Sequence, residues 1–94
     1  MPKYQKFNGK LNLGGDLIEE ARLRQGLTRE EVAKRLKDYN IPMSRSALYK
    51  IEKGKRRLYY HEFAFLTRIL ELDPVEIEGT ILKRLDALQR NNRQ

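Results

Sequence analysis

The segment 44–54 carries the side chains best suited to bind an external partner. Ser44 is a preferred N-cap residue, and Gly54 is the residue type that ends a helix in the left-handed conformation, so the spacing predicts a short helix between them. At about 100° per residue, one face of this helix carries hydrogen-bond donors. The residues on that face are Arg45, Ser46, Tyr49, Lys50 and Lys53.

The opposite face of the same helix is apolar, with Leu48 and Ile51. The helix can therefore pack against a core while its basic face points outward. A short cationic helix with this arrangement has the size and the donors to enter a DNA major groove.

The net charge of the chain favours a polyanionic binding partner. The formal net charge is +7, and residues 45–57 hold six basic side chains against one acidic residue, Glu52. Net charge alone indicates attraction to nucleic acid but says nothing about sequence specificity.

Length and composition exclude several classes. The 94 residues are enough for one domain with its own core. The absence of cysteine excludes disulfides and thiolate metal sites, and the single histidine, His61, offers no nucleophile–base pair. We therefore expect neither an enzyme nor a cofactor or metal requirement. No apolar run reaches membrane-spanning length and the amino terminus lacks a signal-peptide hydrophobic region, so we expect a cytoplasmic protein without a membrane partner.

The pattern of caps and apolar spacing predicts an all-α domain of five helices. The first runs from about residue 15 to Gln25, and the second is capped by Thr28 with Glu31 completing a capping box. The second helix extends through Tyr39 and ends before Ile41-Pro42. The third is the segment described above.

The fourth and fifth helices follow the basic turn. The fourth covers about Tyr60 to Leu70, and the fifth begins at Asp73-Pro74 and runs to about Leu88. Residues 1–13 show no helical period and are expected to form a flexible basic arm, either a plain tail or an arm that touches DNA. Residues 14–90 form the folded domain.

The ordered series of residues from Glu20 to Ile77 resembles the Cro and lambda-repressor-like helix-turn-helix domains, also called the XRE family. The matching residues are Ala21-Arg22, Gly26-Leu27-Thr28, Glu31-Val32-Ala33, Leu36, Ser44, Leu48, Ile51-Glu52-Lys53-Gly54-Lys55-Arg56, Leu66 and Ile69-Leu70-Glu71-Leu72-Asp73. The connection between the second and third helices, residues 37–43, is longer than is usual in the family.

The resemblance implies a role for each basic residue of this region. It places the third helix in the major groove, where the residues facing base edges would be Arg45, Ser46, Tyr49 and Lys50. The residues expected to bind DNA phosphates are Arg29, Lys53, Lys55, Arg56 and Arg57. It also implies a structural ion pair between Arg22 and Glu52, which would neutralise a carboxylate close to DNA.

The resemblance further implies a transcriptional regulator of a bacterium or phage, associated with the nucleoid. The leading expectation is a repressor that binds an inverted-repeat operator as a homodimer. The candidate dimer surface on the fifth helix consists of Ile77, Ile81, Leu82, Leu85 and Leu88, which would otherwise close the protein's own core. The alternatives are an antitoxin or adaptor that mainly binds another protein, and a non-specific nucleic-acid-binding protein.

Overall fold

Five helices make up the domain in the computed structural model, which describes residues 7 and 9–91. They are α1 Gly15–Arg24, α2 Arg29–Asp38, α3 Arg45–Glu52, α4 Tyr60–Ile69 and α5 Pro74–Asn91. Within the described part of the chain the only β pairing is an isolated bridge between Phe7 and Lys10. The predicted five-helix, all-α architecture is confirmed.

The helix starts follow the predicted capping chemistry. Thr28 Oγ1 accepts a hydrogen bond from the backbone N–H of Glu31 at 3.1 Å, and the Glu31 carboxylate accepts one from the Thr28 N–H at 2.9 Å. Ser44 Oγ accepts from the Ala47 N–H at 3.0 Å. These bonds satisfy N–H groups that the first turns of α2 and α3 would leave without partners.

A residue in the left-handed conformation follows each of α1, α2 and α3 and turns the chain there. Gly26 and Gly54 adopt φ values of +68° and +74°, which a side chain would disfavour. α2 ends at Asp38 with Tyr39 as its C-cap, one residue before the predicted end. Asn40 turns the backbone into the left-handed region at φ +61° and releases the chain toward α3.

The core lies between α1, α2, α3 and α4. Its fully buried members, each at 0% exposure, are Ile18, Ala21, Val32, Leu36, Leu48, Ile51 and Leu66. Burying a large aliphatic side chain stabilises a fold by about 1.5–3 kcal/mol, so this cluster is the main support for the position of α3.

α5 closes the other side of the domain and is longer than predicted. It ends at Asn91 rather than near Leu88, and its 18 residues span about 27 Å. Arg84 donates to the Leu13 carbonyl at 2.8 Å and to the Asp16 carboxylate at 2.7 and 3.0 Å, which fixes α5 to the start of α1. The pKa of Asp16 lies below its usual range: burial raises it, and the hydrogen bonds and charge of Arg84 more than offset that effect.

The amino-terminal boundary of the domain lies earlier than predicted. Residues 1–6 and 8, which hold most of the predicted basic arm, are outside the described residues. Leu11 donates its N–H to the Gly54 carbonyl at 2.8 Å, and Asn12 is buried. An arm reaching to residue 13 is therefore wrong for residues 11–13, because hydrogen bonds join Leu11 and Asn12 to the end of α3 and the turn after it, and Leu13 to Arg84 of α5.

Candidate nucleic-acid interface

α3 is held in place from behind by the core. Leu48 and Ile51 have no exposed surface, and the helix packs against both α1 and α2. The apolar face predicted from the sequence is therefore the face that the core uses. The orientation of the remaining side chains of α3 follows from this packing.

The outer face of α3, formed by Arg45, Ser46, Tyr49 and Lys50, is exposed. These four residues and Arg29 of α2 line one shallow depression. The structure thus brings together all four residues that the resemblance assigns to base edges. Guanidinium, ammonium, hydroxyl and phenol groups on one short helix offer donors for guanine and for several other bases.

Cations surround the ring of Tyr49. The guanidinium carbon of Arg29 lies 5.0 Å from the ring centroid, and the ammonium groups of Lys53 and Lys55 each lie 5.9 Å away. Cations at these distances are attracted to the face of an aromatic ring. Tyr49 therefore joins the outer face of α3 to the basic residues at its end.

The side chain of Glu52, the last residue of α3, is fully buried. Arg22 donates to it through Nε at 2.7 Å and through Nη2 at 3.2 Å, the pair that the resemblance implies. Arg29 donates through Nε at 2.8 Å to Glu52 Oε1, the oxygen that also accepts from Arg22 Nη2. Two arginines thus neutralise one buried carboxylate, which keeps its charge away from the outer face.

Glu19 extends this arrangement toward the surface. It accepts from Arg29 Nη2 at 3.3 Å and from Lys53 Nζ at 3.0 Å. We call Glu19, Arg22, Arg29 and Glu52 the ion-pair layer. The hydrogen bond to Glu52 raises the pKa of Arg29 above its ordinary value.

The predicted phosphate contacts fall into two groups. Arg29 is committed to the ion-pair layer, and Arg56 donates through Nη1 and Nη2 to Glu62 at 3.0 Å each. Lys53, Lys55 and Arg57 are exposed, and Lys53 also donates to Glu19 at 3.0 Å. The carboxylate partners of Arg29 and Arg56 were not foreseen, because Glu52 lies in a different helix from Arg29 and Glu62 lies in α4, beyond the turn that holds Arg56.

Arg45 also has a carboxylate neighbour. Its Nη1 donates to Glu30 of α2 at 3.0 Å, and the side chains of both residues are largely exposed, at 67% and 70%. This contact joins the first turn of α2 to the first turn of α3 across the outside of the domain.

Asn12 is a positioning residue that the sequence did not reveal. Its Nδ2 donates to the carbonyls of Ile51 at 3.0 Å and Arg56 at 2.9 Å. Its Oδ1 accepts from the N–H groups of Gly14 and Gly15 at 3.1 and 2.7 Å. One buried amide therefore joins the start of α1 to the end of α3, and no local pattern around Asn12 signals these distant partners.

The candidate dimer surface divides into two parts. Ile77 is buried within the protein's own fold, and Ile81, Leu85 and Leu88 are partly buried. Leu82 is 57% exposed. The stripe on α5 thus has one buried residue, three partly buried residues and one residue, Leu82, that is mostly exposed.

The described residues, 7 and 9–91, contain no group of three or more histidine, cysteine or acidic residues that could hold a metal ion. None of their helices is both long enough and apolar enough to cross a membrane.

A short helix that exposes basic residues, packs on a preceding helix and is held by a core defines the helix-turn-helix class of DNA-binding domains. Residues 15–78, more than half of the chain, match the helix-turn-helix domain family, and the chain belongs to it. Comparisons with curated proteins and with solved structures gave no significant match.

Proposed function

We propose that this protein is a sequence-specific regulator of transcription that inserts the outer face of α3 into the DNA major groove. Arg45 and Lys50 reach the guanine edge, Ser46 bonds to a neighbouring base, and Tyr49 contacts a thymine methyl group. Lys53, Lys55 and Arg57 bind phosphates beside the end of α3. In this proposal Arg29 and Arg56 mainly hold other side chains in position.

The observation that carries this proposal is the separation of the two faces of α3. Leu48 and Ile51 are fully buried, whereas Arg45, Ser46, Tyr49 and Lys50 are all exposed and line one depression with Arg29. A protein that binds DNA only through its net charge has no need for a serine and a tyrosine at the centre of its basic surface. Specific readout needs mixed donors at fixed positions.

We further propose that the protein represses transcription as a homodimer on an inverted-repeat site with half-sites about one helical turn apart. Val75 and Leu82 of α5 are 77% and 57% exposed. Leu82 follows Val75 by seven positions, which is about two helical turns, so both lie on the same side of the helix. This exposed apolar pair supports contact with a second copy through α5. Sedimentation of the protein with and without DNA, compared with that of Leu82→Lys, tests the dimer.

Selection of bound sequences from a random duplex pool tests the function itself. We expect enrichment of one motif in two inverted copies, and binding to this motif at least about 10³ times tighter than to random duplex at the same salt concentration. Equal affinity for selected and random duplexes would contradict sequence-specific regulation.

A further inference from the structure

The contact between Glu30 and Arg45 has no evident part in folding. Both side chains are mostly exposed, and an exposed ion pair contributes little to stability. Glu30 is nevertheless a carboxylate beside the surface proposed to meet DNA, where it would repel phosphates. Its position needs an explanation beyond stability.

We propose that Glu30 is a specificity-determining residue that acts by holding the guanidinium of Arg45 toward a base edge. This inference rests on the proposed function. Glu30 belongs to the first turn of α2 and Arg45 to the first turn of α3, so the backbone positions of both are fixed by the capped helix starts. The hydrogen bond from Nη1 to the Glu30 carboxylate is 3.0 Å long.

The geometry of a guanidinium explains how one contact directs another. The group is planar and has five N–H donors, so a bond through Nη1 leaves donors on the same plane for guanine O6 and N7. With Glu30 in place, a bidentate guanine contact requires little further ordering of the long Arg45 side chain. Glu30 thus strengthens the contact to the correct base.

Glu30 also weakens binding to incorrect sequences. Where no guanine is available, Arg45 would gain most by turning to a phosphate, and this movement would break its bond to Glu30. The carboxylate would then remain unpaired close to the DNA backbone. Discrimination therefore comes from a gain on the correct site and a penalty on all others.

The test compares Glu30→Gln with a matched control. Glu20→Gln removes the same charge from a glutamate of α1 that is 71% exposed and paired with Arg24 at 3.4 Å. For the wild type and both variants, we would measure the sequences selected from a random duplex pool and the salt dependence of binding to selected and random duplexes.

We expect Glu30→Gln to bind random duplex more tightly, with a salt slope steeper by about 0.9 as Arg45 moves to a phosphate. We expect its preference at one base pair of each half-site to fall about tenfold, within the range of a bidentate base contact. Glu20→Gln should keep the wild-type preference. In an Arg45→Ala background, Glu30→Gln should no longer change the preference at that base pair.

The outcomes separate the inference from the proposed function. If the wild type selects a motif and Glu30→Gln keeps the same preference as Glu20→Gln, the role of Glu30 is overturned while sequence-specific binding stands. If Glu30→Gln weakens selected and random duplexes equally, Glu30 does not act on specificity, and the inference is again overturned. If the wild type selects no motif, the proposed function fails and the inference fails with it.

Discussion

The two sides of α3 use the same residue types for different ends. Behind the helix, Arg22 and Arg29 donate to Glu52, which has no exposed side-chain surface. On the outer face, Arg45 and Lys50 are exposed. A count of basic residues therefore overestimates the groups available to DNA. Arginines that are buried and bonded to a carboxylate act within the protein.

The comparison leads to a simple expectation. Substitutions behind α3 should lower the free energy of unfolding and affect DNA binding only through the loss of folded protein. Substitutions on the outer face should change DNA binding and leave stability almost unchanged.

Arg22→Ala should have the largest effect. Removing one partner from a buried ion pair costs about 3–5 kcal/mol, and we expect a value near the lower end because Arg29 remains bonded to Glu52. Arg22 also donates to the Leu27 carbonyl at 2.9 Å, and this bond is lost as well. Urea unfolding of the variant measures the change in free energy.

The control for this substitution is Arg24→Ala, which removes an exposed arginine from the same turn of α1. It should change stability by less than about 1 kcal/mol. Equal stability of Arg22→Ala and Arg24→Ala would show that the ion-pair layer does not support α3.

Asn12→Ala should also lower stability, by about 2 kcal/mol. The change leaves the carbonyls of Ile51 and Arg56 and two N–H groups at the start of α1 without the amide that bonds to them, and unsatisfied buried polar groups each cost about 1–3 kcal/mol unless water replaces the partner. Thermal unfolding provides the measurement. Gln89→Ala, an exposed amide on α5, is the control and should leave the midpoint unchanged.

Lys50→Ala should affect recognition rather than folding. We expect the loss of about 1–3 kcal/mol of discrimination at one base pair of each half-site, because Lys50 would no longer reach the base edge. Binding to a set of single-base variants of the selected site measures this loss. The exposed Lys83 of α5 provides the control, Lys83→Ala, and an equal loss on every sequence would assign Lys50 to the phosphates instead.

Lys55→Ala should produce a smaller and uniform loss. Lys55 lies beyond the end of α3, so we expect the variant to bind all DNA sequences more weakly and the salt slope of binding to fall by about 1. Titrations at four or more salt concentrations, on selected and random duplexes, give the slope. A change in base preference would mean that Lys55 contacts a base, which would contradict its assignment to the phosphates.

Glu62→Gln should lower stability at neutral pH, and the size of this loss should depend on pH. Burial raises the pKa of Glu62, but the hydrogen bonds from Arg56 and from the Tyr59 N–H lower it by a larger amount. The pKa of Glu62 therefore lies below its usual value. A depressed folded-state pKa gives stability that is present above the usual glutamate range and is lost as the pH falls through the folded-state value.

The variant should therefore be less stable than the wild type at pH 7, and the difference should shrink in acid. Urea midpoints measured from pH 7 down to about pH 3 provide the test. Glu20→Gln, with an exposed carboxylate, should follow the wild-type curve, and a constant difference between Glu62→Gln and the wild type would contradict the assignment.

Local chemistry was enough to predict most of the fold. The capping box of Thr28 and Glu31 and the left-handed Gly54 depend on neighbours within a few residues, so residue type alone revealed them. The buried positions of α3 followed from helical spacing. The Arg22–Glu52 pair came from the family resemblance rather than from any local pattern.

Most of the contacts that escaped prediction join distant parts of the chain. Asn12 bonds to carbonyls 39 and 44 residues away, and Arg29 reaches Glu52 across 23 residues. Such pairs depend on how the helices pack, and periodicity carries no information about them. The end of α2 differs from the prediction by one residue, since the helix stops at Asp38 before Asn40 enters the left-handed region.

The most direct test of the central claim is a titration of the isotope-labelled protein with its selected duplex, followed through backbone amide chemical shifts. The account predicts the largest changes at residues 45–57, with smaller changes at the start of α2. Changes concentrated on α4 and α5, with the amides of α3 unmoved, would contradict it.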